Sequence, residues 1–220
     1  TLAAGSGPVG IDASPDGTRL YVADWYRNRL LLIDATRRDA VVDEIAVGKA
    51  PAGVAASADG RTVYVAERDD DSVAAIDIAS RSVRARVNVG THPFALLIDE
   101  PRQRLYALNV LSDDVSVVDL KTMKVLSTVK VGRAPYGAAL THAGRLLYVT
   151  NQHADTVSVI DADTLTVRHT LDGFGYPEGV AAHGDRVYVV NWMDDNVSVL
   201  DAESGKSLAH IDTGRNSRGF

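Results

Sequence analysis

One sequence unit is repeated five times along this chain, and that repetition constrains the fold more than any single segment does. Proline recurs at spacings of 43, 42, 42 and 42 residues, at Pro8, Pro51, Pro93, Pro135 and Pro177. Two further columns keep nearly the same register, namely Tyr21, Tyr64, Tyr106, Tyr148 and Tyr188, and Asp34, Asp77, Asp119, Asp161 and Asp201. Such units bury their faces only against each other, so the repeat outranks local propensity as evidence for fold.

Within each copy the apolar residues alternate or form short blocks that Gly, Pro, Asp and Asn interrupt, which indicates strands and turns rather than helices. In the fourth copy this pattern predicts four strands, here named A to D, at residues 136–141, 145–151, 156–161 and 167–171. Four short strands in about 42 residues match one blade of a β-propeller. The sequence therefore predicts an all-β fold, a β-propeller of four-stranded antiparallel blades.

No linker separates the copies, so we expect a single β-propeller domain over residues 1–220. Its repeats lie at approximately 8–50, 51–92, 93–134, 135–176 and 177–216. Residues 1–4 align with the end of a D strand and residues 217–220 with the start of an A strand. These overhangs favour an arc of a six- or seven-bladed ring, whereas a complete chain would form a five-bladed ring.

Composition excludes several classes of function. The formal net charge is −6 and no basic run occurs, so we expect no nucleic-acid partner. No apolar run approaches the roughly 18 residues of a membrane-spanning helix, so no membrane span is expected. The chain has no cysteine, which excludes disulfides, thiol nucleophiles and thiolate metal ligands.

Residues that keep the repeat are assigned to the fold. The five strand-B tyrosines are predicted to fill the space between blades, where each hydroxyl can find a backbone partner. The five aspartates that close strand C are predicted to accept hydrogen bonds from the amides of the following turn. Polar pairs bracket the B-to-C loop in every copy and are also structural, namely Asp24/Asn28, Glu67/Asp71, Asn109/Asp113, Asn151/Asp155 and Asn191/Asp195.

Aromatic residues that break the repeat are predicted to collect on one side. The D-to-A connections and the B-to-C loops leave a blade on the same face, because strand direction alternates. All eight aromatic residues outside the strand-B column fall in or beside these connections, namely Trp25, Tyr26, Phe94, Tyr136, Phe174, Tyr176, Trp192 and Phe220. Exposed aromatic side chains on a rigid scaffold mark a binding surface, although packing beneath the loops is the alternative.

Three ionisable residues join this face, since His92 precedes a loop proline, Glu178 follows one and His153 lies in a B-to-C loop. The residues predicted to bind a ligand or partner are therefore Trp25, Tyr26, His92, Phe94, Tyr136, His153, Tyr176, Glu178 and Trp192. No catalytic residue is assigned, because the nucleophile elbow, the phosphate-binding glycine loop and the His-Glu-x-x-His motif are all missing. We expect no metal or cofactor, because two histidines in separate copies are too few ligands to indicate a metal site.

The segment Tyr148-Val149-Thr150-Asn151, followed by Asp155 and Thr156-Val-Ser-Val-Ile-Asp161, resembles the repeat of the YVTN-repeat propeller family. The other four copies are variants of the same motif. The resemblance implies seven blades and a periplasmic, secreted or cell-surface location, with distant similarity to the methylamine dehydrogenase heavy subunit and the nitrite reductase d1-haem propeller. The matching residues are the structural ones, so the resemblance implies little about chemistry.

The sequence favours a non-enzymatic extracytoplasmic binding scaffold, whose aromatic face holds a protein partner or a small-molecule ligand. The alternative is an enzyme or accessory subunit, associated with a quinoprotein dehydrogenase or lactonase-like, with His92, His153 and Glu178 at the mouth of an axial channel. A surface-layer adhesion module is a third possibility.

Overall fold

The structure is a computed structural model that describes residues 5–37, 41–141 and 143–215. Over these residues the chain forms 20 strands in five four-stranded sheets, here called blades 1 to 5. The strands expected at residues 1–4 and 217–220, together with Phe220 and His142, lie outside the described residues. The predicted all-β fold of repeated four-stranded blades is confirmed.

The strands of each sheet are hydrogen-bonded in chain order, so every blade is a simple meander. Blade 1 contains β1 (Pro8–Ala13), β2 (Arg19–Asp24), β3 (Arg29–Asp34) and β4 (Val41–Ala46). Blade 2 contains β5 (Pro51–Ala56), β6 (Thr62–Glu67), β7 (Ser72–Asp77) and β8 (Ser82–Asn88). Blade 3 contains β9 (Pro93–Asp99), β10 (Arg104–Asn109), β11 (Asp114–Asp119) and β12 (Lys124–Lys130).

Blade 4 contains β13 (Pro135–Leu140), β14 (Leu146–Asn151), β15 (Thr156–Asp161) and β16 (Thr166–Asp172). Blade 5 contains β17 (Pro177–His183), β18 (Arg186–Asn191), β19 (Asn196–Asp201) and β20 (Ser207–Asp212). The strands predicted for the fourth copy differ from these bounds by about one residue at most ends. Two three-residue 3₁₀ turns, Trp25–Arg27 and Arg68–Asp70, follow the second strands of blades 1 and 2.

The chain divides into two compact units. Unit 1 comprises residues 1–107 and 116–126, and unit 2 comprises residues 108–115 and 127–220. Blades 1 and 2 belong to unit 1, blades 4 and 5 belong to unit 2, and the strands of blade 3 are divided between the two. In the described part of the chain, no helix has the length and apolar character needed to span a bilayer.

The middle strands of the blades carry the core. All six residues of β6 are buried, whereas all six residues of the outer strand β20 are exposed. A strand that is covered on both faces has a continuous run of apolar residues in its sequence, whereas an outer strand tolerates charged residues. This difference explains why the sequence pattern is strongest in the second and third strands of each copy.

Packing within unit 1 joins each blade to the next. Tyr21 of blade 1 packs in one cluster with Val63 and Val65 of blade 2. Tyr64 of blade 2 occupies the equivalent place against Leu105 of blade 3. The repeated tyrosine therefore fills the space between neighbouring blades, as the sequence predicts.

In unit 2, Tyr148 of blade 4 packs against Val187 and Leu200 of blade 5. Its hydroxyl donates a hydrogen bond to the Ala202 carbonyl oxygen at 3.2 Å, and burial raises the pKa of Tyr148 to about 12. Phe174, which was predicted to be part of the aromatic face, is only 6% exposed and lies in this same core. For Phe174 the alternative of packing therefore holds, because its ring joins the core between blades 4 and 5.

The aspartates that end each third strand close the next turn. Asp77 accepts hydrogen bonds from the Ser80 backbone amide at 2.7 Å and from the Ser80 hydroxyl at 2.8 Å. Asp201 makes the same two bonds with Ser204. Because these bonds favour the ionised form, the pKa is lowered for each of Asp34, Asp77, Asp119, Asp161 and Asp201.

Glycine is required where the first strands of neighbouring blades meet. A Cβ atom on Gly53 would lie 2.4 Å from the Phe94 carbonyl oxygen of the next blade. In unit 2 the equivalent distance from Gly137 to the Glu178 carbonyl oxygen is 2.5 Å. The backbones are therefore closer than any side chain on these residues would allow.

We expect Gly53→Ala to lower the free energy of unfolding by about 1–3 kcal/mol, the usual range for overpacking a tight contact. The measurement is the midpoint of urea-induced unfolding. Gly214→Ala is the matched control, since nothing lies within 4 Å of a Cβ there. Equal midpoints for the two variants would contradict the close approach.

A second prediction concerns acid stability. Hydrogen bonds from the Ser14 hydroxyl and the Thr18 amide lower the pKa of Asp16 from 3.8 to about 2. Because the folded-state pKa is the lower one, the stabilisation is complete above the unfolded-state value and is lost as pH falls through the folded-state value. We expect Asp16→Asn to lower the urea midpoint near neutral pH and to flatten its decline from about pH 5 to about pH 2. Parallel pH profiles for the two proteins would count against this assignment.

Candidate functional site

The loops that carry the predicted site residues meet in pairs within each unit. In unit 1, the Trp25 amide donates to the Gly7 carbonyl oxygen at 2.9 Å. In unit 2, the Trp192 amide donates to the Tyr176 carbonyl oxygen at 3.3 Å. Each B-to-C loop thus lies beside a D-to-A connection of its own unit, as the alternation of strand direction predicts.

A repeated contact of the backbone fixes the residue before four of the loop prolines, namely Pro51, Pro93, Pro135 and Pro177. Tyr176 has φ of 54°, and its amide donates to the Asp155 carboxylate of the preceding blade at 3.0 Å. His92 has φ of 55°, and its amide donates to the Asp71 carboxylate at 2.8 Å. The equivalent amides of Ala50 and Ala134 bond Asn28 and Asp113. The second member of the first four predicted polar pairs is therefore structural, and it leaves the side chain before the proline free to vary.

Three rings of unit 2 form an aromatic cluster, which consists of His153, Tyr176 and Trp192. The ring centroids of Tyr176 and Trp192 are 5.1 Å apart with an interplanar angle of 59°. His153 lies 5.6 Å from Tyr176, and its Nε2 is 3.2 Å from the Tyr176 hydroxyl oxygen. These tilted contacts are favourable for aromatic pairs and hold the three rings in fixed relative positions.

A buried polar pair lies next to the aromatic cluster. The Gln152 side-chain amide donates to Glu178 Oε1 at 2.8 Å, and both residues are less than one-tenth exposed. Gln152 precedes His153 in the chain, and Glu178 is two residues after Tyr176. The Glu178 carbonyl oxygen also accepts a hydrogen bond from the Thr150 hydroxyl at 2.7 Å. From the sequence, Glu178 is predicted to lie at the mouth of an axial channel. In the structure its side chain is buried, and Gln152 and Thr150 hold the residue by hydrogen bonds.

A cationic group completes the surroundings of the aromatic cluster. The Arg133 guanidinium donates to the His153 carbonyl oxygen at 2.7 Å, and the Arg133 and His153 side chains are both exposed. Tyr136, another predicted site residue, is half-buried as the second residue of β13. The aromatic cluster and its neighbours thus combine flat apolar surface with hydrogen-bond donors and hydrogen-bond acceptors.

In unit 1 the predicted residues form a different arrangement. Trp25 is half-buried in a 3₁₀ turn, and the Arg68 guanidinium lies 5.3 Å from the centre of its ring. Tyr26 is 76% exposed and lies against Gly7. The cation–π contact covers one face of Trp25, so of these two rings only Tyr26 is widely exposed.

His92 and Phe94 also belong to unit 1. His92 Nε2 is 4.0 Å from Asp69 Oδ1, which is beyond hydrogen-bond distance, and its Nδ1 is buried. Phe94 is half-buried as the second residue of β9. Across the residues that the structure describes, no three histidine or carboxylate side chains are grouped to hold a metal ion.

The structure therefore brings His153, Tyr176 and Trp192 together and sets Glu178 beside them, while Trp25, Tyr26, His92 and Phe94 belong to the other unit. Sequence reasoning missed Gln152. Its equivalents in the other copies are Trp25, Arg68, Val110 and Trp192, so the position is variable and a glutamine there gave no signal. Only the contact with Glu178 shows its role.

Comparison with known proteins finds similarity to a family model and to a solved structure. A family model described as lactonase, 7-bladed beta-propeller, matches residues 1–130. A solved structure, hydrazine synthase from Kuenenia stuttgartiensis, is similar over 97% of this chain and 88% of that chain, with 17% identity and a TM-score of 0.73. At that identity the likeness shows the β-propeller fold alone. No curated protein matches the chain.

These comparisons confirm the β-propeller part of the predicted resemblance, while the YVTN assignment stays a prediction. The matched residues end at Lys130, the last residue of β12. The aromatic cluster and the Gln152–Glu178 pair both lie beyond that point. Their chemistry therefore depends on the side chains that the structure brings together there.

The packing of the aromatic cluster can be tested by fluorescence. In a Trp25→Phe background Trp192 is the single tryptophan, and we expect Tyr176→Ala to shift its emission to longer wavelength and to increase acrylamide quenching. Alanine should be tolerated there, because Ala50 and Ala134 adopt the same positive φ in other blades. Tyr176→Phe keeps the ring and is the control. Unchanged emission in Tyr176→Ala would mean that the two rings do not pack in solution.

Proposed function

The chain belongs to the seven-bladed lactonase β-propeller family, and from this premise we propose that it is a binding propeller whose loops in unit 2 hold a small, oxygen-rich ligand. The observation that carries the proposal is the aromatic cluster of His153, Tyr176 and Trp192 beside the buried Gln152–Glu178 pair. Binding sites usually combine apolar walls with a few well-placed polar groups, and this arrangement has both.

The side chains define what such a ligand would contact. The faces of Tyr176 and Trp192 offer flat surface for the apolar face of a ring. Around them, the His153 imidazole and the Arg133 guanidinium supply hydrogen-bonding groups for ligand oxygens. The buried Glu178 carboxylate accepts a hydrogen bond from Gln152 and would hold the loop that carries His153 in position. A cyclic polyhydroxylated molecule matches these groups better than an aliphatic or strongly cationic one.

A second candidate function is hydrolysis of a lactone at the same place, which the family match favours. In the structure His153 Nε2 is hydrogen-bonded to the Tyr176 hydroxyl. In the reaction this nitrogen would take a proton from a water molecule while the water oxygen attacks the ester carbonyl carbon. The ring C–O bond would then break, and the proton would pass to the leaving alkoxide to give the hydroxy acid. Binding without turnover is preferred, because the site residues lie outside the part of the chain that matches the family model.

Titration of the protein with δ-gluconolactone and with gluconate tests the binding proposal. We expect heat of binding for at least one of them, and affinity reduced about tenfold or more by Trp192→Ala or Tyr176→Ala, since central aromatic residues dominate binding energy. Tyr26→Ala is the matched control, because it removes an exposed ring of unit 1. No binding by the wild-type protein, or equal losses in all three variants, would contradict the proposed site.

The same samples separate the two functions. Acid release from δ-gluconolactone, followed in a pH-stat and corrected for spontaneous hydrolysis, reports turnover directly. Turnover that disappears in His153→Gln while gluconate binding persists would establish the second candidate. Binding without acid release would establish the first.

A further inference from the structure

In several blades, polar side chains connect the outer strand to the residue that ends the second strand and begins the B-to-C loop. In blade 2 the Arg86 guanidinium on β8 donates to the buried Glu67 carboxylate, with 2.9 Å between Nε and Oε2. In blade 1 the Arg29 guanidinium contacts both Asp24, which ends β2, and Glu44 on β4. Arg86 and Glu44 occupy the same row of the sheet, so in both blades an ionisable group of the outer strand is linked to the start of the loop.

In blade 5 this row of the sheet carries a histidine. His210 on β20 pairs with Ser198 on β19 and takes the place of Arg86. The Asn191 side-chain amide donates to the Ser198 hydroxyl oxygen at 2.7 Å, and His210 Nδ1 lies 3.3 Å from the same oxygen. Asn191 ends β18 and precedes Trp192 of the aromatic cluster. The three side chains His210, Ser198 and Asn191 thus form a polar relay from an exposed histidine to the loop that carries this ring.

Burial fixes the direction of the hydrogen bonds in the polar relay. Ser198 and Asn191 are each 1% exposed, so the serine hydroxyl proton has to find an acceptor within the protein. The serine oxygen already accepts from Asn191, whereas Nδ1 of a neutral imidazole has a lone pair to offer. Ser198 therefore donates to neutral His210. The N–H on Nε2 of that tautomer then donates to the Ser207 hydroxyl oxygen, 3.4 Å away.

Protonation of His210 reverses its bond to Ser198. An imidazolium carries an N–H on both nitrogens, so Nδ1 becomes a donor and the serine proton needs another acceptor. Asn191 Oδ1 is buried, and it accepts no hydrogen bond from the residues that the structure describes. Rotation of the Asn191 amide by half a turn brings this oxygen to the serine hydroxyl and breaks the 2.7 Å hydrogen bond from Asn191 Nδ2 to Asn196.

The surroundings of His210 leave it open to protons from solvent. β20 is hydrogen-bonded to β19 alone within its sheet, and all six of its residues are exposed. Its charged neighbours are Asp212, two residues along on the same face, Lys206 before the strand, and Asp195, whose carbonyl oxygen accepts from the Thr213 amide. The residues of β19 that pair with His210 and Asp212 carry no charge, namely Ser198 and Asn196. Histidine normally changes charge between about pH 5 and pH 8, so the polar relay can respond near neutral pH.

We propose that the polar relay is a proton-responsive switch, in which protonation of His210 on the outer strand reorients the Asn191 amide at the start of the Trp192 loop. At alkaline pH the Asn191 amide donates to Asn196, and at acidic pH its oxygen accepts from Ser198 instead. The response needs no ligand, so it is independent of the binding function proposed for the aromatic cluster.

Blade 4 provides a control within the same protein. The Asn151 side-chain amide donates to the Ser158 hydroxyl oxygen at 2.9 Å, as Asn191 does to its serine in blade 5. The residue that pairs with Ser158 on the outer strand is Thr170, which has no titratable group. The Asn151 amide therefore has the same environment without the proton-binding member.

NMR of the side-chain amides of isotope-labelled asparagine, followed from about pH 8 to about pH 5, tests the switch directly. We expect the Asn191 signals to shift with the same midpoint as the ring signals of His210, while the Asn151 signals show no such step. His210→Thr copies blade 4 and should remove the step at Asn191. Ser198→Ala should leave the titration of His210 in place and remove the response at Asn191.

Trp192 fluorescence reports whether the response reaches the loop. In a background of Trp25→Phe and His153→Gln, Trp192 is the single tryptophan and the histidine of the aromatic cluster is removed. We expect its emission to change with pH at the midpoint of His210, and we expect this change to be lost when His210→Thr is added.

His210 is exposed, so His210→Thr should keep the fold, which circular dichroism checks at both ends of the pH range. Asn191 signals that do not change while His210 titrates would overturn the proposal. A step at Asn191 that persists in His210→Thr would overturn it equally, because the proton would then bind elsewhere.

Discussion

The close approach of the first strands of neighbouring blades is the contact on which the other features depend. Carbonyl oxygens of one blade occupy the space where a Cβ of the preceding blade would stand, at Gly53 in unit 1 and at Gly137 in unit 2. At that separation a tyrosine on the second strand fills the gap farther out, and its buried hydroxyl can reach the next blade. Glycine and tyrosine therefore recur in one register because they are two parts of a single packing arrangement.

The loops inherit their positions from this packing. An Asp or Asn with positive φ ends each B-to-C loop, and in the first four copies its side chain accepts a hydrogen bond from the amide before the next loop proline. Because the backbone makes that contact, the side chain at the same place is free to be Ala50, His92, Ala134 or Tyr176. Chemical variety is thus confined to a few positions on a rigid frame, which is how loops on a scaffold usually acquire function.

Prediction from the sequence succeeded where every copy carries the same residue. The strand-C aspartates and strand-B tyrosines were assigned to the fold, and their hydrogen bonds and burial agree. It left open whether Phe174 is a surface aromatic or packs in the core, because the direction of a ring in an irregular connection is not encoded by any period. It also missed Gln152, whose contact with Glu178 joins residues 26 positions apart.

The sequence by itself determined the all-β class, the five copies and the residues that each copy needs, since all of these follow from periodic burial along the chain. Only the tertiary structure decided which variable residues act together. His153, Tyr176 and Trp192 come from two blades, and their rings meet although 23 and 16 residues separate neighbouring members along the chain. Contacts of this kind depend on which side chains face each other across a blade boundary, and a one-dimensional pattern does not contain that information.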